Sequence, residues 1–234
     1  MFTGIVQGAR PITTFYMDYS IGRLAVDLGP ELSQNLEIGC SISVDGVCLT
    51  AVRLTDHVVD FDIIKGTLER TTIPHYKVGQ LVNVERSMTQ TTEIGGHELS
   101  GHVDCQGKIA NIEIMDGNTV IDVELPPLWM KYIFAHGFVA VNGVSLTVSK
   151  LDKQNYCFSV WLIPETLRRT NLGKLTPGDL VNIEIHRGVQ VLVDTIEDAV
   201  ERVLTSALRN GELDAKHVQD LLGATQKLFG KQIS

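Results

Sequence analysis

Val44-Asp45-Gly46-Val47-Cys48-Leu49-Thr50 returns 97 residues later as Val141-Asn142-Gly143-Val144-Ser145-Leu146-Thr147. An Asp or Asn before Gly marks a two-residue turn with both residues at positive φ, the turn that joins two antiparallel strands. The V-x-L-T that follows alternates with period two, as a half-buried strand does. The frame is the same in both copies, but one carries Cys48 where the other carries Ser145.

Other blocks repeat in the same order. Thr3-Gly4-Ile5-Val6 is answered by Ser100-Gly101-His102-Val103, again 97 residues on. Thr67-Leu68-Glu69-Arg70-Thr71 is answered by Thr166-Leu167-Arg168-Arg169-Thr170, and Val78–Glu85 by Pro177–Glu184, both 99 residues on. A solenoid needs three or more units, so two units of this size imply tandem domains. Within the first unit, apolar runs at Arg23–Val26, Ser41–Val44, Cys48–Val52, Val58–Ile64 and Leu81–Val84 are short and separated by turn residues such as Lys77-Val78-Gly79-Gln80. A strand from Met1 to Gly8 would complete six. Six short strands with little helix predict a small closed barrel. The expected organisation is one barrel over residues 1–97, a second over 98–190, and a helical segment over 191–234.

In that last segment, Asp194-Thr195-Ile196-Glu197-Asp198 has capping-box spacing and predicts a helix start. Ile196, Val200, Val203, Leu204, Ala207 and Leu208 then form one apolar stripe. The stripe suits either oligomerisation or packing against the protein's own barrel. A second helix is expected over Leu213–Phe229.

Composition narrows the function classes. The 234 residues are 44% hydrophobic and 21% charged, with a formal net charge of −8. That acidity argues against a nucleic-acid surface, which needs clustered Lys and Arg. No apolar run approaches the roughly 20 residues of a membrane span, and the N-terminus shows no basic-then-apolar leader, so the expectation is a cytoplasmic protein. The four cysteines, Cys40, Cys48, Cys105 and Cys157, show no C-x-x-C pair and read as free thiols. G-x-G-x-x-G, P-loop, G-x-S-x-G and H-E-x-x-H motifs are all missing from the sequence.

Chemistry is expected where the repeats differ. Gly95-Gly96-His97 through Cys105 is the most polar cluster, and His97, His102 and Cys105 match no common metal spacing. His102 stands where the first repeat has Ile5, so one position is titratable in one copy and aliphatic in the other. A thiol or hydroxyl at 48 or 145 is able to add to an electrophilic carbon, and an imidazole moves protons near neutral pH. Two like pockets with unlike groups suit a reaction that binds two copies of one ligand in different roles.

Met1-Phe2-Thr3-Gly4-Ile5-Val6, Asp45–Thr50, Glu93-Ile94-Gly95-Gly96-His97 with Ser100-Gly101-His102, Gly143–Thr147 and Ile163-Pro164-Glu165-Thr166-Leu167 together resemble the riboflavin synthase family, over about residues 1–205. The resemblance implies an all-β fold of two six-stranded Greek-key barrels followed by a C-terminal α-helix. It implies a homotrimer with its site between subunits, and a cofactor-free dismutation of two 6,7-dimethyl-8-ribityllumazine molecules. One lumazine gives up four carbons and leaves as 5-amino-6-ribitylaminouracil, and the other becomes riboflavin.

Carried over by motif, the first pocket would comprise Gly4, Ile5 and Val6, Cys48, Leu49 and Thr50, and Asp62, Ile63, Ile64, Lys65, Gly66 and Thr67. The second would comprise Gly101, His102 and Val103, His136, Ser145, Leu146 and Thr147, and Ile163, Pro164, Glu165, Thr166, Leu167 and Arg168. Cys48, Ser41 and His102 are the candidate catalytic residues, and no metal is expected. Two positions depart from the family pattern: His136 stands where Lys is usual, and His186 where Asp is usual. The rival reading is a non-catalytic lumazine or flavin carrier of the same fold. Such carriers tend to lack the Cys48 and His102 equivalents, and both are present here. A flavin-reductase-like barrel is a third reading, without a dinucleotide motif to support it.

Overall fold

The computed structural model describes residues 1–210. The first unit runs β1 (Gly8–Asp18), β2 (Ile21–Asp27), α1 (Gly29–Ser33), β3 (Ser41–Val44), β4 (Val47–Thr55), β5 (Val58–Ile63), α2 (Lys65–Arg70) and β6 (Leu81–Arg86). The second runs β7 (Cys105–Met115), β8 (Asn118–Glu124), β9 (Phe138–Val141), β10 (Val144–Asp152), β11 (Cys157–Leu162), α3 (Pro164–Arg169) and β12 (Leu180–Ile185), and α4 (Arg187–Arg209) follows. Each set of six strands closes into an antiparallel barrel, ordered β1-β2-β5-β4-β3-β6 in the first and β10-β11-β8-β7-β12-β9 in the second. Bulges at Ile12/Thr14 and Ala51/Arg53 recur 97 residues on at Ile109/Asn111 and Val148/Lys150. An extra residue bends a strand and increases its twist, which a sheet this small needs in order to close.

The alternation within the repeated motif sets the sidedness. On β4, Val47, Leu49 and Ala51 are buried in the barrel, while Cys48, Thr50 and Val52 face outward. Each barrel has its own apolar core, one around Phe61, Val59 and Ile42, the other around Phe158, Val160 and Ile109. Burying such a side chain contributes about 1.5–3 kcal/mol.

The two repeated turns meet each other. Asp45 and Gly46 have φ of 45° and 80°, and Asn142 and Gly143 have 47° and 75°, as the Asp-Gly and Asn-Gly pairs predict. A Cβ on Gly46 would lie 2.7 Å from the Gly143 nitrogen, and one on Gly143 would lie 2.7 Å from the Gly46 nitrogen. Around this contact the Asn83 amide donates to the Asn142 carbonyl (2.9 Å) and the Asn182 amide donates to the Asp45 carbonyl (2.9 Å). Phe2 and Leu99, also 97 residues apart, exchange backbone hydrogen bonds of 2.8 and 2.9 Å. A pseudo-twofold axis therefore runs between the repeats, and equivalent residues touch across it.

Three expectations are corrected here. Met1–Gly8 is not a strand: only Phe2 forms a bridge, Gly4 takes φ +74°, and β1 begins at Gly8. The cause is Glu85, whose carboxylate accepts the Thr3 and Gly4 N–H groups at 2.6 and 3.0 Å and turns the segment away from its own barrel. The terminal helix starts at Arg187, seven residues before Asp194, and Thr195 lies inside it without capping anything. Its start is held instead by Asp104, which accepts from the Ile185 N–H (2.8 Å) and the Gln190 side chain (2.8 Å). Lastly, Ile196, Val200 and Val203 are exposed, so the stripe does not fold back on the barrel. α4 touches the second barrel through another face, where Lys131 pairs with Asp194 (3.0 Å) and Glu197 and the Tyr132 hydroxyl donates to Asp194 (2.6 Å). The helix expected over 213–229 lies outside the described residues. Among the described residues no helix is long and apolar enough to cross a membrane.

Candidate active site

The site begins with an exchange between the repeats. Gly4, Ile5 and Val6 do not cover the first barrel: Val6 packs in the core of the second, and Val103 packs in the core of the first. The Cys48 N–H donates to the Gly101 carbonyl (2.8 Å), and the Ser145 N–H donates to the Gly4 carbonyl (2.9 Å). Glu85 and Glu184 hold the crossing segments, Glu184 accepting from the Ser100 and Gly101 N–H groups at 2.7 and 2.9 Å. Burial raises both carboxyls above the usual range, although these donors oppose it. The sequence-based grouping of the pockets is thus corrected. Gly101, His102 and Val103 belong with Cys48, and Gly4, Ile5 and Val6 belong with Ser145.

We call the two outer surfaces seat 1 and seat 2. In seat 1, Ser41 pairs with Thr50 and Ser43 with Cys48 across β3 and β4, so all four side chains share one face. A Cβ on Gly101 would lie 2.5 Å from the Cys48 Cβ, so only Gly allows the backbone next to His102 to lie against Cys48. Cys48 and Ser41 are half-buried, and Thr50 and His102 are exposed. Asp62 is exposed at the end of β5 and pairs with Arg23, and Ile63 turns into the core. Ile64, Lys65 and Gly66 are exposed and Thr67 half-buried at the start of α2, and Lys65 pairs with Glu69 at 3.6 Å.

Seat 2 has the same frame with other side chains. β9 and β10 pair Phe138 with Thr147 and Ala140 with Ser145 on the outer face, so Phe138 stands where seat 1 has Ser41. Leu146 is buried in the barrel. Ile163, Pro164 and Glu165 are exposed, and Thr166 and Leu167 half-buried, around the start of α3. Arg168 is exposed and pairs with Glu165 (2.6 Å). With Arg169 also bonded, Arg168 lowers the Glu165 carboxyl to about 2. His136 is exposed with φ +63°, and its N–H donates to the Val148 carbonyl as its counterpart Gly39 does to Ala51 (2.8 Å each).

The structure adds a residue that the sequence offers only as one member of a polar cluster. His97, at 6% exposure, places Nδ1 2.6 Å from the Ser145 Oγ and lies flat against Phe138, ring centroids 5.2 Å apart at 14°. His186 is 5.8 Å away, and burial together with His186 pushes the His97 imidazole down to about 4. The three residues of the polar cluster are separated: His97 lies in seat 2, His102 is exposed on seat 1, and Cys105 is buried, its thiol pushed up to about 12 by desolvation. Among the described residues no group of three or more His, Cys, Asp or Glu is placed to hold a metal. The cleft beside Asp45, lined by Tyr76, Asn142 and Asn171, contains none of the predicted site residues.

Two closed barrels with exchanged lead-in segments define a tandem ligand-binding barrel protein, and the lumazine binding domain matches residues 3–87 and again 100–186. Riboflavin synthase of Escherichia coli (strain K12) is 41% identical over 84% of this chain and 92% of its own length. That of Buchnera aphidicola subsp. Schizaphis graminum is 37% identical over 89% of this chain and all of its own. Among solved structures, LumP complexed with riboflavin superposes with a TM-score of 0.75 at 27% identity, covering 80% of this chain and all of LumP. LumP complexed with 6,7-dimethyl-8-(1'-D-ribityl) lumazine gives 0.73 at 27% identity, with the same coverage. The chain belongs to the riboflavin synthase family, and it is an enzyme of that type.

Proposed function

We propose that each seat of this riboflavin synthase holds one 6,7-dimethyl-8-ribityllumazine, and that the working centre forms where seat 1 of one subunit faces seat 2 of the next in a homotrimer. The carrying observation is the pair of like frames with unlike groups: Ser41, Cys48 and His102 in seat 1 against Phe138, Ser145 and Ile5 in seat 2. One lumazine loses four carbons and the other gains them, so riboflavin and 5-amino-6-ribitylaminouracil together contain the atoms of both substrates. Cys48 or Ser41, or a water they hold, adds to C7 of the lumazine in seat 1. His102, exposed on the rim, takes a proton from the C7 methyl of the lumazine in the facing seat. Thr50 and Thr147, exposed at matching positions, donate to the pyrimidinedione edge of each ring. Holding two ring systems face to face replaces a bimolecular encounter and lowers much of the barrier.

The exposed stripe of α4 supports the assembly: Leu192, Ile196, Val200 and Val203 are 52–68% exposed in the single chain. Mixing two inactive variants tests the shared site. Cys48→Ala with His102→Ala impairs seat 1, and Ser145→Leu with Thr147→Leu impairs seat 2. A centre shared between subunits regains activity when the two proteins are unfolded and refolded together. A mixture as inactive as its parts overturns the shared site.

A further inference from the structure

The segment joining the barrels is asymmetric in a way that the repeat does not require. After β6 the chain passes through exposed Thr91, Glu93 and Ile94 and then dips into seat 2 at Gly95, Gly96 and His97. A Cβ on Gly96 would lie 2.4 Å from the Thr3 carbonyl oxygen and 2.6 Å from the Ser145 Cβ, so the backbone itself lies on the seat. His97 then takes the Ser145 hydroxyl and the face of Phe138. The chain that follows β12 instead enters α4, where the residue 97 positions beyond His97 is Asp194, bonded to Lys131 and Tyr132. His97 Nε2 is buried with no partner among the described residues, so the imidazole is fitted to the seat on one side only.

We propose that Gly95-Gly96-His97 is a strap that occupies seat 2 in the ligand-free protein, with the His97 ring in the place of a ligand ring, so that the seats fill in order, seat 1 before seat 2. This rests on the reading that Ser145, Thr147 and the Phe138 face form the ligand surface of seat 2. A flat heterocycle with a polar edge needs the same two features that His97 uses, a hydroxyl and an aromatic face, and both cannot be served at once. Only the strap-open fraction of seat 2 is competent, which weakens its apparent affinity in proportion to the closed population. The two glycines supply the freedom to swing out without disturbing either barrel.

Riboflavin, which binds without turning over, is the probe. Titration of the full-length protein, followed by flavin fluorescence, should give two unequal dissociation constants per chain. His97→Gly should tighten the weaker constant by about tenfold and leave the tighter one unchanged, as expected for a removed closed state. Gly96→Ala, which cannot seat its methyl against the Thr3 carbonyl, should shift the same constant in the same direction. In the unsubstituted protein, His97 ring signals moved upfield by the Phe138 face should return to exposed-histidine positions only as the second ligand binds. The strap is overturned if the two constants are equal, if both variants leave the weaker one unchanged, or if the His97 signals stay in place at two ligands per chain. Failure of riboflavin to bind at all would overturn the seat reading, and the strap with it.

Discussion

Replacing Gly46 with Ala tests the joint between the repeats. The new methyl carbon would lie 2.7 Å from the Gly143 nitrogen and 3.1 Å from its Cα, both backbone atoms unable to rotate aside. Gly46 also has φ +80°, where an L side chain costs about 1–2 kcal/mol. Gly79 supplies the control, with φ +85° and nothing within 4 Å of an added Cβ. Both substitutions remove the same glycine entropy from the unfolded chain, so that contribution cancels in the comparison. What remains is the overpacking at the joint, about 1–3 kcal/mol. Urea unfolding at matched protein concentration should therefore place Gly46→Ala below Gly79→Ala by that amount, at an unchanged slope. Gly143→Ala, in the mirrored position, should behave like Gly46→Ala. If Gly46→Ala is no less stable than Gly79→Ala, the two turns do not meet as described.

Cys48→Ala and His102→Ala should each slow turnover by about 100-fold or more while changing riboflavin affinity less than threefold, measured by steady-state kinetics and fluorescence titration. Ile196→Glu, in the exposed stripe of α4, should shift the protein to monomer in light scattering with folded barrels by circular dichroism and little activity. Titration of two buried groups should act on stability in opposite directions. The His97 imidazole is lowered in the fold to about 4 from 6.5, so the unfolded chain takes up its proton first and this contribution to stability falls as pH drops from 6.5 toward 4. Burial raises Asp45 to about 7 from 3.8, against the bonds it accepts from Asn83, Tyr76 and Asn171, so its contribution grows as pH drops from 7 toward 3.8. Unfolding free energies of Asp45→Asn and His97→Asn from urea denaturation, against the unsubstituted protein, should therefore diverge in opposite senses between pH 7 and 4, each by on the order of 3 kcal/mol. Parallel profiles would contradict the burial assigned to one of them.

Much of the architecture is legible in short-range chemistry. Asp45-Gly46 and Asn142-Gly143 declare their turns because few other pairs take positive φ twice, and the alternation of Val47, Leu49 and Ala51 sets which face is buried. The exchange of Val6 and Val103 between cores was hidden because a repeat read along the chain assigns each segment to its own unit. Only the tertiary bonds of Glu85 and Glu184 send them across. The start of α4 was misread for a related reason. Thr195 and Asp198 imitate a capping box by spacing alone, while the true start at Arg187 carries no side-chain cap and depends on Asp104, more than 80 residues away. His97 gave a weak signal as one polar residue among several, and its place on Ser145 came from how the linker folds. Ser41, Cys48 and His102 stand out in the sequence as the candidate catalytic residues, and the structure places Ser41 and Cys48 on one face. That His102 joins them on seat 1 is not legible in the sequence, because the crossing lays its neighbour Gly101 against Cys48 of the other repeat.

Two lumazines are expected to react with each other on this protein without any added reactant. Purified protein supplied with 6,7-dimethyl-8-ribityllumazine alone should accumulate riboflavin and 5-amino-6-ribitylaminouracil in equal amounts, followed by flavin absorbance and chromatography of both products. Saturable lumazine binding with no riboflavin formed would contradict the account and identify a carrier instead.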